Sequence, residues 1–151
     1  MKSTVISHSE ADTINLARKI ASHIKLGDII VLTGNLGSGK TKFTEGFLSY
    51  FHLQDEISSP TFTIVNEYQA PQFPIYHFDV YRLSDVSEFY ELGGEEYFSK
   101  GVCLIEWGEQ ILEALPKNYL HISFSLGKQE QERTLTLETI GHFSLSLKEL
   151  V

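Results

Sequence analysis

The 151-residue chain has one cysteine, three arginines and no apolar run of membrane-spanning length. A lone cysteine excludes an internal disulfide, and the apolar neighbours of Cys103 in GVCLIEW mark it as a buried filler rather than a reactive thiol. A membrane helix needs roughly 18 or more apolar residues, and the opening MKSTVISHSE lacks the apolar stretch of a signal peptide. A soluble, cytoplasmic protein that does not engage a membrane is expected. Positive charge is also scarce, with 12 Lys+Arg against 20 Asp+Glu, a net charge of −8 and no basic cluster. Phosphate backbones are held by such clusters, so tight direct binding of DNA or RNA is not expected.

What is present suits one hydrophobic core. With 42% hydrophobic residues, the length fits a single domain over residues 1–151. STVIS reads as a first strand. Ser7 and Glu10 have capping-box spacing, and Ile14, Ala17, Ala21 and Ile24 recur at helical intervals, predicting a helix to about Lys25. DIIVLT is a continuous apolar run, as in a strand buried on both faces of a parallel sheet, and Phe43, Phe47, Tyr50 and Phe51 return to helical spacing. TFTIVNEY and IYHFDVYRL, rich in β-branched and aromatic residues, predict an antiparallel pair across QAPQFP. A helical segment broken at Gly93-Gly94, a buried strand GVCLIE, a short helix WGEQILEAL and a hairpin YLHISFSL/RTLTLETI follow. The fold class expected is α/β: a P-loop NTPase-like domain with a mixed parallel and antiparallel sheet flanked by helices.

Between the second strand and second helix lies Gly34-Asn35-Leu36-Gly37-Ser38-Gly39-Lys40-Thr41, which satisfies G-x-x-x-x-G-K-[ST]. Glycines adopt backbone angles that let successive N–H groups converge on phosphate oxygens, and the following helix adds the positive end of its dipole. Asn35, Leu36, Gly37, Ser38, Gly39, Lys40 and Thr41 are therefore assigned to ATP phosphates, with the Lys40 ammonium on the β- and γ-phosphates and the Thr41 hydroxyl on Mg²⁺. The N-K-x-D segment by which P-loop proteins read guanine is absent, which favours ATP.

A P-loop also needs a carboxylate at the end of a neighbouring buried strand for the magnesium shell. Glu106 closes the apolar run Val102–Ile105 and occupies such a position. Asp79, read as mid-strand in YHFDVYRL, is the second candidate, with an ion pair to Arg82 as its alternative role. His77 reads as a packed, hydrogen-bonded side chain. Trp107 adjoins Glu106 and suits either a site or a packing role.

GNLGSGKT, SSPTFTIVNEY, YHFDVYRL, ELGGEE and LIEWGE stand in the order and spacing of the TsaE (YjeE) family, bacterial P-loop ATPases, and the chain resembles that family over most of Gly34 to Glu109. The resemblance implies a part in forming N6-threonylcarbamoyladenosine at position 37 of tRNAs that read ANN codons. In that family a small ATPase binds the TsaD and TsaB proteins and keeps their complex turning over, so tRNA is met only through the complex. It also implies catalytic roles for Lys40, Asp79 and Glu106, magnesium ligation by Thr41 and Glu106, and a nucleotide-sensing switch at Thr61 and Trp107. The chain departs from the family at Lys42, where a second threonine is common, and at Gly108, where proline is common.

Two other functions fit the loop. A small nucleoside or nucleotide kinase would use several arginines around the transferring phosphate, and three in the chain (Arg18, Arg82 and Arg133) supply few. A nucleotide-gated binding module would hold ATP without productive hydrolysis. The same arginine shortage predicts slow hydrolysis by the isolated chain and acceleration by partners, with neither Arg82 nor Arg133 aimed at the γ-phosphate.

Overall fold

The computed structural model describes residues 1–34, 39–53, 55, 65–81 and 83–150. Among the described residues seven strands form one sheet in the order β1-β7-β6-β2-β5-β4-β3, where β1 is Lys2–Ser7, β2 Ile29–Gly34, β3 Val65–Gln69, β4 Pro74–Asp79, β5 Val102–Glu106, β6 Tyr119–Leu126 and β7 Arg133–Ile140. The centre, β6-β2-β5-β4, is parallel, while β3 on one side and β7 with β1 on the other pair antiparallel. This is the mixed α/β sheet expected, with β6 inserted beside β2 and the hairpin carrying β7 out to β1.

Side chains alternate across the central strands, and each set has its own cover. Ile30, Leu32, Leu104 and Ile122 meet Leu16, Ile20, Phe43 and Phe47 from helices α1 (Glu10–Ala21) and α2 (Lys40–Tyr50). The helices cross closely because Gly46 has no side chain: a Cβ there would stand 2.6 Å from the Ile14 carbonyl oxygen. On the other face Ile29, Val31, Cys103 and Ile105 pack with Phe78, Phe89 and Ile111, under helix α3 (Val86–Glu91) and the 3-10 segments Gly94–Ser99 and Gly108–Ala114. Burial pushes the Cys103 thiol up to about 12, in keeping with a filler role. The cover stops short of β6, β7 and β1, where Lys2, Thr4, His121, Ser123, Thr136 and Glu138 line an open polar depression of about 420 Å³. Among the described residues no helix is long and apolar enough to cross a membrane.

Several boundaries differ from those the sequence predicts. The cap of α1 is Ser9, not Ser7: Ser9 Oγ accepts from the Asp12 N–H, and Asp12 Oδ2 accepts from the His8 N–H. Ser7 still belongs to β1, and its hydroxyl bonds to Thr13 Oγ1 and the Ser9 carbonyl. The same helix ends at Ala21, because the chain turns where Asp28 Oδ2 accepts the Lys25 N–H. The segment after Trp107 is a 3-10 helix with non-helical angles at Ile111 rather than one regular helix. Asp79 is the last residue of β4, not a mid-strand residue; its Oδ1 accepts from the Tyr81 N–H and turns the chain out of the sheet.

Candidate nucleotide site

The C-terminal ends of the parallel strands converge beside the start of α2. Strand β2 ends at Gly34 and α2 begins after Gly39, whose left-handed backbone (φ +108°) suits glycine. Lys40, Thr41 and Lys42 form the first turn. Among the described residues no side chain caps this turn and none in it is acidic, so its N–H groups and dipole end suit an external anion. Thr41 is exposed in this turn, whereas Lys40 is buried.

Lys40 Nζ donates to the Gly34 carbonyl at 2.7 Å and lies 3.3 Å from the centre of the Trp107 ring. The ammonium is thus held between a carbonyl and an aromatic face. Burial pushes Lys40 below its ordinary value, while the charges of Glu106, Glu109 and Asp79 pull it back up. Glu109 lies in the 3-10 segment after Trp107, and the other two charges come from strand ends. Asp79 and Glu106 are register partners, closing the adjacent parallel strands β4 and β5. Glu106 Oε2 lies 2.6 Å from Nε2 of buried His77.

Trp107 leaves β5 with φ 66° and ψ 37°, left-handed angles that a bulky residue adopts only under constraint. The constraint is visible: its N–H donates to the Leu32 carbonyl at 3.0 Å, and its ring packs against Tyr81 at 4.8 Å as well as on Lys40. Of the predicted site residues, the structure brings together Gly39, Lys40, Thr41, Asp79, Glu106 and Trp107. Asn35, Leu36, Gly37, Ser38, Thr61 and Arg82 lie outside the described residues.

Sequence reasoning reads His77 as a packed, hydrogen-bonded side chain without a partner, and in the structure that hydrogen bond goes to the strand-end carboxylate. Arg133 is also nearer than its place at the hairpin suggests, since its Cγ lies 3.7 Å from where a Cβ on Gly39 would stand. Its Nη1 donates to the carbonyls of Glu130 and Glu132.

These residues suit a nucleotide with magnesium. An uncapped helix start with a lysine takes phosphate, and two in-register carboxylates favour a hydrated cation beside it. Among the described residues no three acidic, histidine or cysteine side chains converge into a metal cage. Magnesium takes most of its ligands from phosphates and water, and needs no such cage.

The family model "Threonylcarbamoyl adenosine biosynthesis protein TsaE" matches residues 7–135. The chain belongs to the TsaE family. A TsaE protein of Bacillus subtilis, named as a tRNA threonylcarbamoyladenosine biosynthesis protein, is 42% identical over 132 residues, 87% of this chain and 82% of its own. A protein of the same name from Rickettsia bellii is 41% identical over 127 residues, covering 83% and 88% of the two chains. A crystal structure of Bacillus subtilis YdiB superposes with a TM-score of 0.74 at 33% identity, over 93% of this chain and 87% of that one.

Proposed function

We propose that residues 1–151 form one cytoplasmic P-loop ATPase domain, which binds ATP with Mg²⁺ and hydrolyses it in support of tRNA threonylcarbamoyladenosine formation. The observation that carries this reading is the convergence of an uncapped α2 start, Lys40, and the Asp79–Glu106 pair at the ends of adjacent parallel strands. Lys40 exchanges the Gly34 carbonyl and the Trp107 face for the β- and γ-phosphates. Thr41 and Glu106 hold the Mg²⁺, directly or through its water, and Asp79 orders the water that attacks. The metal, when bound, neutralises charge developing on the phosphates. Thr61 and Trp107 act as the switch that reports nucleotide state.

Hydrolysis also needs a positive charge on the transferring phosphate, which an arginine supplied in trans can provide at roughly 10³–10⁵ in rate. Arg18 Nη1 donates to Ser49 Oγ near the far end of α2, and Arg133 Nη1 is engaged by two carbonyls. These contacts of the two described arginines support partner proteins, TsaD and TsaB, that complete the site and through which alone tRNA is met, rather than a self-sufficient kinase. Phosphate release is measured for the chain alone and with the TsaD–TsaB complex, with Mg·ATP in both. Slow release alone and a marked rise with partners are expected. Full-speed release by the chain alone contradicts partner activation, and phosphate transfer to a nucleoside contradicts hydrolysis.

A further inference from the structure

The imidazole beneath Glu106 has no evident structural task. His77 and Asp79 are two apart on β4 and share a sheet face, which is that of Ile75, Leu104 and α2. In register, His77 stands opposite Leu104, so Glu106 is its diagonal neighbour, within reach of a long side chain. The contact of Nε2 with Glu106 Oε2 at 2.6 Å is the hydrogen bond His77 makes, and Nδ1 is buried with no partner among the described residues. His77 stands in register between Leu104 of β5 and Asn66 of β3, and a leucine would fill this place without stranding a polar atom. A purely structural histidine leaves that choice unexplained, since a buried unpaired polar atom costs roughly 1–3 kcal/mol.

We propose that His77 is a positioning residue for Glu106: its Nε2–H holds Oε2 and so fixes the carboxylate in the orientation that meets the magnesium shell. A carboxylate accepts, so Nε2 carries a proton in this contact. The other charged groups facing this pair are Lys40, whose ammonium lies within electrostatic range of Glu106, and Asp79 in register beside it. With Oε2 tied down, Glu106 loses the rotamer freedom a strand-end glutamate otherwise keeps, and that entropy is not lost again when metal and nucleotide arrive. The inference rests on the reading of Glu106 as a nucleotide-site carboxylate.

The test uses the full chain and calorimetric titration of ATP with and without Mg²⁺. The ratio of the two affinities is compared for wild type, His77→Leu, His77→Gln and Glu106→Gln, and for His77→Leu combined with Glu106→Gln. Gln places an amide N–H close to the position of the imidazole Nε2, and Leu places none. Partners behind a metal ligand typically contribute 10–100-fold, so His77→Leu is expected to lower the magnesium-dependent gain in affinity by about 10-fold or more. His77→Gln restores most of the gain, and His77→Leu adds nothing once Glu106 is Gln. Equal losses in Leu and Gln, or a full further loss in the Glu106→Gln background, overturn the positioning role. A Glu106→Gln variant with an unchanged magnesium gain overturns the reading of Glu106 itself. ¹⁵N spectra of wild-type histidine need no variant to fold: a proton on Nε2 supports the proposal, and a proton on Nδ1 alone overturns it.

Discussion

The starts of α1 and α2 answer the same physical demand in opposite ways. Each leaves N–H groups without intrahelical partners and a positive dipole end. In α1 the chain supplies everything: Ser9 caps, Asp12 reaches back to the His8 N–H, and Glu10 and Asp12 place negative charge in the first turn. In α2 the described residues supply neither a side-chain cap nor an acid. The cap is a glycine, the first turn holds no acid, and its first and third positions are Lys40 and Lys42 where α1 has Glu10 and Asp12. The helices pack side by side, so the contrast is not one of environment alone. Stability alone favours an anion at both starts. An internal carboxylate at α2 would compete with a phosphate, and its absence keeps the place for a ligand.

The largest effect expected from breaking this contrast is at Lys40. Lys40→Ala removes the charged donor from α2 and should weaken ATP binding by about 100-fold, since a charge-assisted hydrogen bond contributes roughly 1.5–3 kcal/mol. The fold should not suffer in proportion. Burial lowers the Lys40 pKa in the folded state, so at neutral pH the charged form is penalised by folding and its removal relieves that penalty. Calorimetry for affinity and thermal unfolding for stability separate the two.

Gly39→Ala comes next. The added Cβ meets Phe124 and Arg133 at 3.7 Å, ordinary contacts, so the penalty is torsional: φ +108° in an L-residue costs about 1–2 kcal/mol. Urea unfolding should show that loss, and ATP affinity should fall with it because the start of α2 shifts. At α1 the matching break, Ser9→Ala, should cost about 1 kcal/mol of stability while ATP affinity stays unchanged. If it lowered affinity comparably, the two helix starts would not be independent.

Which of these features the sequence reveals depends on how local their causes are. The left-handed Gly39 before α2 is legible because the fixed spacing expresses a local backbone requirement, and the parallel strand β2 because a strand buried on both faces is apolar throughout. The α1 cap is misplaced since Ser7–Glu10 and Ser9–Asp12 have the same spacing, and only the pairing of β1 with β7 decides where the strand ends. Asp79 looks central to its strand because nothing in YHFDVYRL signals a turn; the bond from the Tyr81 N–H to its side chain makes one. His77 and Glu106 are 29 residues apart and meet through the β4–β5 register, which no local pattern encodes.

The smallest effect should come from making α2 resemble α1. Lys42→Asp places at α2 the charge that Asp12 provides at α1. A carboxylate near a helix start contributes about 0.3–1 kcal/mol. Here Lys42 also pairs with Glu45 at 3.2 Å and Glu10 at 3.8 Å, so loss of those exposed pairs should cancel much of the gain. Net stability should barely move, while ATP affinity falls severalfold. Thermal unfolding and calorimetry on one sample read both.

The most direct test follows the single tryptophan. Trp107 lies on Lys40, so a nucleotide that takes the ammonium must change the surroundings of the ring. Fluorescence is recorded during titration with Mg·ATP, beside calorimetry on the same protein, for wild type, Ser9→Ala and Lys40→Ala. A saturable change tracking the heat of binding in the first two, and lost in the third, is the predicted result. Binding heat in wild type with no change in Trp107 emission, or the same emission change in Lys40→Ala, would contradict a phosphate site at the open start of α2.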